Sequence, residues 1–237
     1  MIKLLLYYIR YIKNYFNQRE EVKIGLISKE DAKYLQEQFS GFKNSVNIYY
    51  FNSEKTNADF CKLTNSILEE LTALSPKINL KSFDFENAQD TVKEYNIMKP
   101  PALSIQQGSD LGIRYYGIPS GYEFSTIINT ITMIGMGNTD IQDIVREKTK
   151  LINKKTNIMV FVTPPCPYCP RAATLAHKFA YMNENIESAV IEANEFPVLS
   201  REFNVMAVPK IVINKKHSFE GAYPPERFID EVIKGIS

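Results

Sequence analysis

Along this chain the apolar positions alternate between a period near 3.6 and a period near two, and they do so twice in the same order. Ser28-Lys29-Glu30-Asp31 has the pattern of a capped helix start. Residues 46–51 form an apolar, aromatic run typical of a strand, and a helical pattern follows near 58–74. Next come a strand, a short helical turn and a segment ending in Pro101. Two strands, 102–106 and 113–116, then lead through Gly117 to a helix beginning near Tyr122. The second pass opens at Thr139-Asp140-Ile141-Gln142, with a strand at 158–162 and a helix near 166–182. A strand, a short turn and a segment ending in Pro209 follow. Strands at 211–214 and 217–219, Gly221 and a last helix near Pro225 complete it. The order αβαβαββα predicts an α/β fold in which a central mixed sheet carries helices on both faces.

The two passes are also related residue by residue. Glu94-Tyr95-Asn96-Ile97-Met98-Lys99-Pro100-Pro101 reads against Glu202-Phe203-Asn204-Val205-Met206-Ala207-Val208-Pro209. The shift of 108 that carries Pro101 onto Pro209 also carries Cys61 onto Cys169 and Ala58 onto Cys166. One shift that aligns two separated landmarks marks a duplicated unit. Gly135-Met136-Gly137-Asn138 is the expected boundary. The expected organisation is an extension over 1–22, a first unit over 23–135 and a second over 138–237.

The extension has its own pattern. Leu5, Ile9, Ile12 and Phe16 share one helical face, opposite Lys3, Arg10, Lys13, Asn14 and Asn17. Its apolar run is too short to span a bilayer. A helix docked on the body is the favoured reading, and contact of residues 1–20 with a membrane interface is left open but not favoured.

Lys and Arg total 28 against 27 Asp and Glu, which gives no electrostatic reason to expect a nucleic-acid partner. Three cysteines are too few for a secreted disulfide framework, so a cytoplasmic protein is expected.

Chemistry concentrates in Cys166-Pro167-Tyr168-Cys169. Two cysteines two residues apart at a helix start meet free N–H groups and partial positive charge, which stabilise a thiolate. Pro167 suits a first helical position, where its missing N–H costs nothing. On this reading Cys166 attacks a partner's disulfide and Cys169, one turn inside, resolves the mixed disulfide. Other uses fit less well. A structural zinc site needs four ligands, and Cys61, His177 and His217 show no ligand spacing, so no metal is expected. His177, eleven residues past Cys166, would lie roughly 16 Å along the same helix, too far for a catalytic base. Two inert buried cysteines would leave their proline-framed helix start unexplained.

Strand, CPYC, helix and then Met206-Ala207-Val208-Pro209 before a strand resemble the thioredoxin superfamily, with CPYC its glutaredoxin-type motif. Two such units in tandem resemble the archaeal protein disulfide oxidoreductases over about residues 24–237. The resemblance implies a dithiol–disulfide oxidoreductase acting on protein disulfides, with no bound cofactor and recharged by a thioredoxin-reductase-like flavoprotein. It implies that Pro209 is cis and faces the cysteines, that the Val208 backbone pairs with a substrate strand, and that Pro167 and Tyr168 shape the rim. A second likeness, to the N-terminal domain of the flavoprotein that reduces bacterial alkyl-hydroperoxide peroxiredoxins, implies an electron relay to a peroxiredoxin-type partner. A binding module using both grooves and an iron–sulfur carrier bridged by Cys166 remain as non-redox and cluster alternatives.

The chain departs from the tandem pattern at Ala58, which removes the attacking cysteine of the first unit and leaves Cys61 as a small buried residue. Arg171 and Lys210 flank the active pair as solvated surface charge or as partners of a thiolate. Glu192 reads as a solvent-facing residue on an edge strand, with a buried proton-relaying carboxylate as the alternative.

Overall fold

The structure is a computed structural model that describes residues 26–236. The expected amphipathic helix of 1–22 lies outside the described residues.

The strands sort their side chains by period two. In β1 (Val46–Asn52), Ile48 and Tyr50 enter a core on one face while Tyr49 and Phe51 face the other. In β5 (Thr156–Val162), Ile158, Val160 and Val162 enter the first core, and Met159 and Phe161 the second. The larger core is covered by α1 (Lys29–Ser40), α2 (Ala58–Thr72), α4 (Glu123–Met136), α5 (Asp143–Lys150), α6 (Cys169–Met182) and α8 (Pro225–Ile236). The other face is covered by α3 (Gln89–Glu94) and α7 (Pro197–Glu202). The remaining strands are β2 (Ile78–Asp84), β3 (Ala102–Gln106), β4 (Ile113–Tyr116), β6 (Ile186–Glu192), β7 (Lys210–Ile213) and β8 (His217–Glu220).

The sheet order is β2-β1-β3-β4-β6-β5-β7-β8. Within each half, the first two strands are parallel and the last two are added antiparallel. Each half taken alone would end in an edge at β4 or β6. These two edges pair in parallel, with Ile113 opposite Ser188 and Tyr116 opposite Ile191, and so join both halves into one sheet of eight strands. Pairing at this seam removes two exposed ladders of N–H and C=O groups. It also places Arg114 inside the protein, 2 % exposed. Its guanidinium donates to the Tyr95 carbonyl at 2.8 Å, to Ser104 Oγ at 2.9 Å and to both carboxylate oxygens of Asp110. His177 of α6 closes the same seam, with Nε2 3.2 Å from the Arg114 carbonyl and Nδ1 2.8 Å from the Thr130 hydroxyl. A carbonyl only accepts, so Nε2 carries the ring proton. Burial pushes the imidazole down to about 4, which keeps it neutral.

Two expected helix starts are corrected. Ser28 does cap α1, accepting from Asp31 N, but α5 opens at Asp143, not at Thr139. The Thr139 hydroxyl is engaged by the Arg146 guanidinium, Asp140 takes a left-handed φ of 51° and Ile141 enters the core. The second correction concerns the cysteine helix. It begins at Cys169, with Tyr168 as its cap, not at Cys166. Pro170 has no N–H to give to the Cys166 carbonyl, so the segment 166–169 closes as a turn through Cys169 N at 3.4 Å.

Candidate active site

Strand β5 ends at Val162, and a six-residue loop carries Cys166 to the start of α6. Three of the loop's residues are prolines, which limit its backbone freedom. Cys166 N donates to the Thr163 carbonyl at 3.1 Å and holds the approach. Cys166 and Cys169 form a disulfide with their Cα atoms 5.5 Å apart. Cys166 is half-buried and Cys169 wholly buried.

The structure brings the separated landmarks together. The Val208–Pro209 peptide bond is cis, as the resemblance implied, and Cys166 Sγ lies 3.8 Å from the Val208 carbonyl oxygen. Tyr168 is 69 % exposed and stands on the rim with Pro167. Met206, three residues before Pro209, is 89 % exposed, and Val198 on α7 is exposed as well. Neither was expected as a rim from the sequence, although Met206 belongs to the repeated segment. Lys210 reaches the Asn204 carbonyl at 3.0 Å and so is tied to the loop before Pro209, while Arg171 is exposed without an ion pair among the described residues.

In the first half the same geometry is filled differently. The Pro100–Pro101 bond is also cis. The shift of 108 that carries Pro100 onto Val208 puts Asn57 beside the position of the missing cysteine, and Asn57 Nδ2 donates to the Pro100 carbonyl at 3.0 Å. An amide therefore occupies the backbone acceptor that Cys166 faces in the second half. Cys61 is 4 % exposed. Its carbonyl accepts from the Tyr50 hydroxyl at 2.6 Å, and its thiol is directed at the Thr56 carbonyl. Burial pushes this thiol up. A protonated, sheltered thiol is a poor nucleophile. Iodoacetamide should leave the native oxidised protein unmodified and alkylate Cys61 once the protein is denatured. Rapid alkylation of the native protein, read by mass spectrometry, would contradict the shelter described here.

Glu192 is the main correction among the candidate residues. It is not a solvent-facing edge residue but fully buried, because β4 of the first half covers the strand that would have been an edge. Two further carboxyls that sequence reasoning missed share its surroundings: Glu195, 4 % exposed, and Glu123, fully buried. Their local sequences resemble ordinary turn and helix-start acids, so no signal marked them. Burial pushes Glu123 and Glu192 up to about 7, and burial together with the neighbouring Glu192 carboxylate holds Glu195 well above the usual range.

The Cys166–Cys169 disulfide, facing the carbonyl of the residue that precedes a cis-proline, sits at the start of a helix on a thioredoxin fold. Residues 156–234 match the family model described as thioredoxin domain. The protein disulfide oxidoreductase of Aeropyrum pernix K1 superposes with a TM-score of 0.80 at 28% identity, over 87% of this chain and 92% of that one. The NTD_N/C domain of alkylhydroperoxide reductase AhpF from Enterococcus faecalis has the same fold, with a TM-score of 0.81 at 22% identity, over 86% and 98%. The alkyl hydroperoxide reductase AhpF of Pseudomonas aeruginosa is 25% identical over 172 residues, 72% of this chain and 31% of that protein. NADH dehydrogenase of Bacillus subtilis is 21% identical over 171 residues. The chain spans about a third of the length of these curated relatives.

Proposed function

We propose that the protein exchanges disulfides with other proteins through Cys166 and Cys169, Cys166 attacking and Cys169 resolving. The observation that carries this reading is the Cys166–Cys169 disulfide at the start of α6, with Cys166 Sγ against the Val208 carbonyl. In the reducing direction, the Cys166 thiolate attacks a client disulfide. A mixed disulfide forms and one client thiolate leaves. The Cys169 thiolate then attacks Cys166 Sγ, the mixed bond breaks and the second client thiolate leaves. Two electrons have passed to the client, and the protein is left in the disulfide form. The oxidising direction is the reverse. Cys166, the less buried of the two, is suited to attack, and the wholly buried Cys169 is suited to resolve.

The Val208 backbone beside Pro209 pairs with an extended client segment, and Pro167, Tyr168 and Met206 give it an apolar rim with little side-chain selectivity. Residues 23–135 form a first thioredoxin-like unit, silent in exchange, and 138–237 the working one; the repeated strand order supports this division. The protein works in the cytoplasm, with no nucleic-acid partner, and takes electrons from a thioredoxin-reductase-like flavoprotein.

A second reading, relay of electrons to a peroxiredoxin-type partner, is favoured by a specific observation. The AhpF domain of Enterococcus faecalis is covered over 98% of its length, and the curated relatives include the AhpF of Pseudomonas aeruginosa. A redox titration with thiol-trapping mass spectrometry separates the two. A potential near that of thioredoxin, about −270 mV, supports relay, and one near −180 mV supports disulfide formation or shuffling. Failure of the Cys166–Cys169 disulfide to open at any poise would remove both readings.

A further inference from the structure

The exchange chemistry above uses none of the three buried carboxyls where the halves meet. Glu192 ends β6, Glu195 lies in the turn that follows, and Glu123 opens α4. Glu192 Oε2 accepts from Glu195 N at 2.7 Å, and its Oε1 from Asn194 Nδ2 at 2.8 Å. Glu195 Oε1 accepts from Ile118 N at 2.8 Å, while Glu195 Oε2 and Glu123 Oε1 have no hydrogen-bond partner among the described residues. Glu123 on α4 feels Glu192, and Tyr50 on β1 and Cys61 on α2 feel Glu195. Among the described residues, no lysine, arginine or histidine is one of the groups acting on any of the three acids. Buried carboxylates without a cation are neutralised by protons instead.

The cluster also holds a piece of backbone. The 117–121 turn is tied to the first half through Gly117 N and the Pro101 carbonyl at 2.9 Å. It reaches the cysteine loop where Tyr122 N donates to the Pro164 carbonyl at 3.0 Å. Gly121 presses on that same carbonyl, since a Cβ there would lie 2.6 Å from it. Between these ends, Ile118 N is held by Glu195. The acids pack directly on the turn: a Cβ on Gly117, at φ +105°, would lie 2.7 Å from Glu192 Cβ. Glu192 is also the strand neighbour of Val162, and Ala193 N donates to the Val162 carbonyl at 2.9 Å. The pair thus touches both the turn and the strand end that deliver Cys166.

We propose that Glu192 and Glu195 are positioning residues of the redox centre: as a buried, protonated cluster they fix the 117–121 turn against the Pro164 loop, and ionisation of the cluster loosens the turn and slows exchange. The proposal rests on the reading of Cys166 and Cys169 as the redox pair.

The sign follows from the acids being held above their ordinary range. In the folded protein they keep a proton that the unfolded chain releases, so their contribution is complete at acid pH and falls as pH rises through neutrality. Two anions in a site without a cation then repel, and this repulsion, together with burial, outweighs the Ile118 bond, which by itself favours the ionised form of Glu195.

The test uses the full-length oxidised protein. Amide exchange at Ile118, followed by NMR and corrected for the intrinsic rate, should lose about tenfold of its protection between roughly pH 6 and pH 9, while Val160 in the core keeps its own. Glu195→Gln keeps an acceptor for Ile118 N but cannot ionise, so its Ile118 protection should stay flat. With dithiothreitol as reductant and insulin as the disulfide probe, the ratio of variant to wild-type rate should be near one at acid pH and rise about threefold or more by pH 9. A pH-independent Ile118 in the wild type, or a variant whose rate parallels the wild type at every pH, overturns the proposal alone. The wild-type exchange data decide it even where Glu195→Gln does not fold. Absence of insulin reduction by the wild type at every pH, together with a Cys166–Cys169 disulfide that opens at no poise, overturns the redox reading itself, and the proposal with it.

Discussion

Cys166→Ala is expected to abolish insulin-disulfide reduction, with a loss of about a thousandfold or more, because it removes the sulfur that forms the first bond to the client. Cys169→Ala should behave differently. The first attack still occurs, but the resolving sulfur is gone, so the protein accumulates as a mixed disulfide with its client. Thiol-trapping mass spectrometry distinguishes the two: no adduct for Cys166→Ala, a stable adduct for Cys169→Ala. Both replacements remove only a sulfur atom, one in the loop before α6 and one at its first residue. The fold should therefore survive, which circular dichroism checks. Cys61→Ala should leave the rate within about twofold, because the thiol is sheltered behind Tyr50 and Thr56 and takes no part in exchange. If Cys166→Ala kept its activity, the protein would have to be read as a binding module. A collapse with Cys61→Ala would mean that the first half takes part in electron transfer.

The second large effect concerns stability, and it lies at the seam. Asp110→Ala should destabilise the protein by roughly 2–4 kcal/mol, because it leaves the Arg114 guanidinium buried without its counter-charge. The figure is set below the top of the range for buried pairs because the Asp110 side chain is 37% exposed and water can reach part of the gap. For a chain of this size the unfolding midpoint should fall by about 5–15 °C, read by calorimetry. The Tyr95 carbonyl and Ser104 still bind the guanidinium and limit the loss. Arg114→Met together with Asp110→Ala should cost less than the two single changes added, since the double variant strands no charge. An Asp110→Ala protein as stable as the wild type would show that the bidentate pair contributes nothing at the seam.

The candidate site was largely legible in the chain. Cys166 and Cys169 announce themselves by spacing and by their prolines, and the shift of 108 ties Pro209 to the same unit. Strands 46–51 and 158–162 were visible because period-two alternation follows directly from backbone geometry. What misled was chemistry with two local solutions. Cys166-Pro167-Tyr168-Cys169-Pro170 can begin a helix at its first cysteine or its last. The choice falls on the last because Pro170 cannot donate a hydrogen bond back to Cys166. Thr139 has the form of a cap, but Arg146 takes its hydroxyl.

Asp84 and Glu192 show where sequence stops. The shift of 108 makes them equivalent, each ending the strand that is the edge of its own half. On β2 no strand pairs with the outer edge among the described residues: Lys81 and Ser82 are exposed and Asp84 is half-exposed. On β6 the edge is covered by β4, and Glu192 is fully buried with its carboxyl pushed up to about 7. The amino-acid sequence by itself determined the strands, the helices, their repeated order and the cysteine pair, because these depend on residues close together in the chain. Only the tertiary structure decided that the halves share one sheet. That pairing depends on backbone groups every residue carries, and it turned ordinary surface acids into a buried, proton-holding cluster.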